Sequence, residues 1–262
     1  MTSDGGFVHE HDHDHDAVVR RSFERQVGLF SGPGSPFAQR DTGTLAWLEP
    51  LTPDMLVLDA ACGAAHAAEV VAPHVRQVVG VDLTPALLDL GAARLRERGV
   101  GNVLLQEGNA QSLPFVHGSF DLGFCRAALH HMADPQRTVD ELVRVITPAG
   151  RVVLFDLVSP IPEARDTFDH VHRLIDPSHV RAFTEAELPQ LFPDGFELTY
   201  GATSTIRMPV DVSLTDQSAR DEVLDALRAD IAGGEATGFE PAEEDGTITV
   251  AFTTTVVHAA RS

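Results

Sequence analysis

Lysine is absent from this 262-residue chain, so all 19 basic side chains are arginine. That absence removes a Schiff-base former and a lysine general base from the available chemistry. Cysteine is almost absent too. The two present, Cys62 and Cys125, both fall at the ends of predicted core strands, and neither points to a disulfide framework. No stretch approaches the ~20 apolar residues of a membrane helix, so stable membrane insertion is not expected. Positive charge is also scarce: 39 acids against 19 arginines leave a formal charge of −20. A surface of that sign repels phosphate backbones, and no nucleic-acid partner is expected. The polar first 16 residues carry no secretory hydrophobic region, which makes the cytoplasm the expected compartment.

A hydrophobic content of 43% supports a substantial core, and the length suits one α/β domain with additions. Residues 1–16 end in the alternation His9-Glu10-His11-Asp12-His13-Asp14-His15-Asp16. Imidazole and carboxylate are metal ligands, but a metal centre needs ligands fixed by a fold. The stretch therefore reads as a disordered, dispensable tail, and no metal site is assigned. Residues 17–262 read as a single domain.

Within that domain the hydrophobic pattern alternates in period. Strands are predicted near 55–59, 77–82, 103–107, 120–125 and 151–157, with helices over 64–72, 85–97 and 135–146. Such alternation implies a mostly parallel sheet with helices on both faces. Thr84-Pro85 provides a capping side chain and a first-turn proline for its helix. Two later strands, near 196–208 and 247–258, are expected to form a reversed edge. Helical spacing also marks 17–30, about 42–48 and about 161–176, with Phe168, Val171, Leu174 and Ile175 on one face of the last.

Two acids stand where a nucleotide-type ligand would meet such a sheet. Val57-Leu58-Asp59 runs into the small-residue turn Ala60-Ala61-Cys62-Gly63, and Val79-Gly80-Val81-Asp82 follows about 20 residues on. A small turn at a helix N-terminus lets a ligand approach the backbone. An acid ending the next strand is placed to accept from a ribose diol.

This segment resembles the first two motifs of class I S-adenosylmethionine-dependent methyltransferases, especially the quinone C-methyltransferase-like, small-molecule branch. Gly108-Asn109-Ala110-Gln111-Ser112-Leu113-Pro114-Phe115 is similar to the family's adenine loop. Leu129-His130-His131-Met132 falls where the family often has Leu-His-His, and Thr147-Pro148-Ala149-Gly150-Arg151 resembles the turn into strand five. The likeness covers roughly residues 20–160. It implies a Rossmann-like, seven-stranded, mostly parallel sheet with an antiparallel last strand. It also implies helical lid elements, about 17–48 and 160–192.

The cofactor implied is S-adenosyl-L-methionine. Asp59, Ala61 and Gly63 would approach its methionine part, Asp82 its ribose hydroxyls and Leu83 the adenine face. Asn109, by its side-chain amide, and Ala110, by its backbone, would meet the adenine edge. Arg126 would hold a cofactor or substrate carboxylate, or pair with a lid acid. Two departures from the family stand out: alanine at 61 and 65 where glycine is usual, and Asn109 where aspartate is common. A Cβ at the first two costs clearance or strains a glycine-like backbone.

Methyl transfer is an in-line displacement, so positioning does most of the work and a base is needed only for an acceptor that loses a proton. His130 and His131 are the base candidates, with His131 favoured, because imidazole titrates near neutrality. The alternative is structural, with a histidine capping the next turn or packing on Asp134. His66 reads as a packing residue; His170, His172 and His179 fall in the lid segment, where they could face substrate, although a solvated surface position is the plainer reading of each.

The expected function is methylation of a small, partly hydrophobic molecule, such as a terpenoid, polyketide, quinone or phenol. A homodimer is compatible with it. A cyclase or non-catalytic binder of the same fold is the alternative. A nicotinamide-dependent oxidoreductase is disfavoured, because Gly63 stands alone where three spaced glycines are required.

Overall fold

The computed structural model describes residues 10–31, 43–201, 203–214 and 217–262. Its centre is a parallel sheet whose inner strands are buried on both faces, while the edge strand Val103–Glu107 is partly exposed. The five parallel strands are β1 (Leu56–Ala60), β2 (Gln77–Asp82), β3 (Val103–Glu107), β4 (Phe120–Arg126) and β5 (Ile146–Val158). Neighbouring residues along these strands enter different cores, which is why they read as continuous apolar runs. Leu58 and Val79 pack with α5 (Pro135–Val145) on one side. Val57 and Val78 pack on the other with α2 (Gly43–Leu48), α3 (His66–Val71) and α4 (Pro85–Glu97).

The strand order is β3-β2-β1-β4-β5-β9-β6, with β7 and β8 also paired to β9. Seven strands form the expected path, and two more extend it. β9 (Thr247–Arg261) is the reversed strand and sits between β5 and β6 (Phe196–Tyr200), antiparallel to both. It is therefore an inner strand rather than half of a reversed edge. The segment predicted as one strand near 196–208 is two, β6 and β7 (Ser204–Pro209), aligned along the same edge of β9. They part at Gly201, where a Cβ would lie 2.7 Å from Val256.

A third core lies beyond the sheet. α6 (Arg165–Ile175) packs on α8 (Arg220–Ile231) through Phe168, Val171, Val223 and Leu227. The short α7 (Val210–Ser213) adds Val210 to this core, while β8 (Ala242–Glu244) pairs with the start of β9. α8 is absent from the sequence reading, although Val223, Leu224 and Leu227 have helical spacing.

α1 spans Glu10–Gln26, so the helix begins inside the stretch expected to be disordered. Disorder does not hold for residues 10–16, and residues 1–9 lie outside the described residues. The reason is tertiary. Asp16 accepts from Asn109 Nδ2 at 2.9 Å, and the His15 ring lies 2.7 Å from the His131 carbonyl. Among the described residues, no helix is long and apolar enough to cross a membrane.

Candidate active site

The parallel strands β1, β2, β4 and β5 end at one edge of the sheet, where ligands of open α/β sheets bind. A cavity of about 690 Å³ opens there. Asp59, Ala61, Gly63, Asp82, Leu83, Asn109, Ala110, Arg126, His130 and His131 all line it. α1 contributes Phe23 and Gln26 to its walls, and α6 contributes His172, with Asp176 following at the helix's C-cap.

The turn after β1 is held by the acid after β2. The Gly63 amide donates to Asp82 Oδ2 at 2.7 Å, and the Thr84 amide to Oδ1 at 2.8 Å. Thr84 occupies the N-cap of α4, but its hydroxyl does not cap the helix. Burial raises the Asp82 carboxyl above its ordinary range, against the pull of those two amides. The Thr84 hydroxyl also bonds this carboxylate, and two oxygens with about four acceptor sites still leave room for a ligand.

Two alanines in this loop adopt the left-handed region, Ala61 at φ 58° and Ala65 at φ 59°. A third, Ala127 at φ 49°, turns the chain after β4. Such residues carry local strain, which concentrates at functional sites. The conformation that family glycines would take is thus preserved with alanine in their place. A β-branched side chain tolerates it far less. We expect Ala61→Val to destabilise the fold by about 2 kcal/mol, lowering Tm by roughly 4–8 °C at this chain length. An unchanged Tm in thermal denaturation would remove the left-handed assignment.

Asp59 is buried at the end of β1, and its Oδ2 has no hydrogen-bond partner. Burial pushes its carboxyl up to about 7, with Arg126 opposing the rise and Asp82 adding to it. Asn109, expected to meet the adenine edge, lines the cavity and is also tied to its neighbours. Its Oδ1 accepts from the Gln111 amide at 2.8 Å while its Nδ2 is held by Asp16. An aspartate here would face Asp16 across like charge, so the asparagine suits its neighbour on α1.

The two histidines sit in different settings. The Ala127 turn delivers the Ala128 and Leu129 amides to Asp156 Oδ2, at 3.0 and 2.8 Å. His130 Nδ1 then meets Asp156 Oδ1 at 2.6 Å. Burial would raise the Asp156 carboxyl, but His130 and the backbone amides hold it below its ordinary range. An ionised carboxylate only accepts, so Nδ1 carries a proton, and in the neutral ring Nε2 then holds the lone pair.

His131 Nδ1 lies 3.0 Å from Ser178 Oγ, which donates to Asp176 Oδ1 at 2.6 Å. The same carboxylate accepts from Ser22 and Gln26 of α1, at 2.8 and 3.0 Å. Burial, with His130 beside it, drives the His131 ring well below its ordinary range. Asp134 caps α5 by accepting from the Arg137 amide.

Three residues central to these networks, Asp156, Asp176 and Ser178, are missing from the sequence reading. An acid closing a predicted strand was the available signal for Asp156, as it was for Asp59 and Asp82. His172 and His179, expected on the surface, are buried at 6% and 2% exposure. His170 is exposed, 4.0 Å from Glu222. His66 meets Arg94 at 3.2 Å and stacks near Phe30 while lining the cavity.

Residues 58–154 match the family described as a methyltransferase domain. YcgJ of Bacillus subtilis (strain 168), an uncharacterized methyltransferase, is 38% identical over 155 residues, covering 59% of this chain and 61% of the relative. Its crystal structure superposes with a TM-score of 0.74, at 26% identity, over 84% of this chain and 97% of that one. YafE of Escherichia coli (strain K12) is 31% identical over 160 residues, 60% of this chain and 77% of the relative. This chain belongs to the class I S-adenosylmethionine-dependent methyltransferases. A demethylmenaquinone methyltransferase of Clavibacter sepedonicus is 31% identical over 126 residues, 48% of this chain and 51% of the relative. The match therefore spans about half the length of that quinone enzyme and about three fifths of YcgJ.

The residues of this methyltransferase fit its cofactor. An orphaned buried carboxylate oxygen on Asp59 suits a ligand carrying an ammonium and a sulfonium. Gly63 leaves room for it, with nothing nearer to an added Cβ than Leu87 at 3.9 Å.

The raised Asp59 pKa has a defined sign. In the ligand-free protein its contribution to stability is fully present below about pH 4 and lost as pH rises towards about 7. A bound cation lowers that pKa again. At pH 7, cofactor binding is expected to release up to about half a proton per site. Calorimetric enthalpies in phosphate and Tris should then differ, and the difference should vanish in Asp59→Asn. Identical enthalpies for the wild type would contradict this.

Proposed function

We propose that this methyltransferase acts on a small, partly apolar acceptor that loses a proton, with His130 as the base. The observation that carries this reading is the His130–Asp156 pair on the wall of the cavity that also holds Asp59 and Asp82. S-Adenosylmethionine supplies an electrophilic methyl group when bound. Asp59, Gly63 and Asp82 would hold the cofactor, and transfer would form the acceptor–methyl bond as the methyl–sulfur bond breaks, with S-adenosylhomocysteine as the leaving group. The acceptor's proton passes to His130 Nε2, and Asp156 stabilises the resulting imidazolium. His131, driven below its ordinary range, is the poorer base and serves to tie the loop to α1.

Supporting a small molecule are the cavity's size and its apolar walls, including Leu157, Ile206, Met208 and Phe252. The relatives named as demethylmenaquinone methyltransferases support a quinol-like acceptor. The helices α1 and α6, which border the cavity, would serve as lid elements. The acidic composition argues against a nucleic-acid substrate.

The test is mass spectrometry of quinols, phenols and enolisable ketones incubated with methyl-labelled cofactor. Incorporation of one label with release of S-adenosylhomocysteine is expected. Cofactor binding without transfer to any of them would point to a protein that does not methylate.

A further inference from the structure

His172 makes no hydrogen bond through its side chain among the described residues, although it is only 6% exposed. Its ring stacks on His179 at 4.0 Å. Phe168 and Phe239 stand edge-on at 5.5 and 5.8 Å, and Phe252 lies at 5.5 Å. In such a nest phenylalanine would pack as well as imidazole and leave no polar group without a partner. A buried polar atom left unpaired marks a place where a ligand can supply the partner. His172 also lines the active-site cavity, with its ring centroid 6.0 Å from that of His130.

The two ring nitrogens differ. Nδ1 is sealed from solvent with no partner. A sealed N–H with nothing to accept it is costlier than a lone pair resting near the positive edges of aromatic rings. The proton therefore belongs on Nε2, the nitrogen left to the cavity. Burial, with His179 and His130 close by, drives the ring well below its ordinary range, so it stays uncharged at neutral pH. His179 holds the stack in place, its own Nε2 fixed 2.7 Å from Asp169.

The surrounding charge selects further. Among the described residues, Asp16, Asp59, Asp82 and Asp176 line the cavity against one arginine, Arg126, and an anionic acceptor would meet repulsion.

We propose that His172 is a fixed, neutral hydrogen-bond donor to an oxygen of the methyl acceptor, selecting uncharged ketones, quinols or phenols over carboxylates and phosphate esters. The inference rests on the methyltransferase reading of the same cavity, and it names the group that orients the acceptor beside His130.

Three probes of one shape separate the possibilities: 2-acetylnaphthalene, 2-isopropenylnaphthalene and 2-naphthoate. Each is titrated by calorimetry into protein saturated with S-adenosylhomocysteine. Wild-type protein is expected to bind the ketone about tenfold more tightly than the oxygen-free isostere, with the carboxylate weakest. In His172→Phe the ketone and its isostere should bind within about twofold of each other. In His172→Gln, which keeps a donor, part of the preference should remain. The proposal is overturned if the preference persists in His172→Phe, if the carboxylate equals the ketone, or if no probe binds to the cofactor-loaded protein. Failure of S-adenosylhomocysteine to bind the wild type is a separate result, which would overturn the cofactor reading and this proposal with it.

Discussion

His130→Asn is expected to lower kcat by roughly 10²- to 10⁴-fold while leaving S-adenosylhomocysteine affinity within about twofold of wild type. The split follows from position. His130 is held by Asp156 at the end of β5, whereas the loop held by Asp82 does not involve it. The loss should shrink for an acceptor acidic enough to ionise unaided. His131→Asn is the control. Its ring holds Ser178 and, through Asp176, the helix α1. It should retain at least about a tenth of wild-type turnover. If His131→Asn proves the more damaging change, the two roles are reversed.

Asp82→Ala should weaken cofactor binding by about a hundredfold or more, equivalent to about 3 kcal/mol. Two effects add. The ribose loses a charge-assisted acceptor, and the Gly63 and Thr84 amides lose the carboxylate that sets the loop. Asp82→Asn separates them, since an amide keeps one acceptor but turns a donor towards one of the two backbone N–H groups. It should therefore bind more weakly than wild type but more tightly than the alanine variant. Calorimetry with S-adenosylhomocysteine decides the matter, and unchanged affinity in Asp82→Ala would remove the assignment.

The histidines show how reading a chain locally can misplace function. His130 and His131 are adjacent, and nothing near them in sequence separates a carboxylate-paired ring from one tied to a serine. The separating partners lie 26 and 47 residues away, at Asp156 and Ser178. His172 reads most plainly as surface because residues near it in sequence are polar, yet the rings of His179, Phe239 and Phe252 stand against it. The disorder expected through Asp16 fails for the same reason, since Asn109, 93 residues on, engages Asp16.

What the amino-acid sequence determined by itself was whatever depends on near neighbours. Apolar runs and helical spacing set the alternation of strand and helix. A small-residue turn between two strand-ending acids marked the cofactor cradle, because strand, turn and acid lie within about 25 residues. Tertiary structure alone decided the rest. It seated β9 inside the sheet, tied α1 through Ser22 to Asp176 across 154 residues, and buried an unpaired imidazole beside the base. Hydrogen bonding and desolvation act between groups that only folding brings together, and no local pattern carries them.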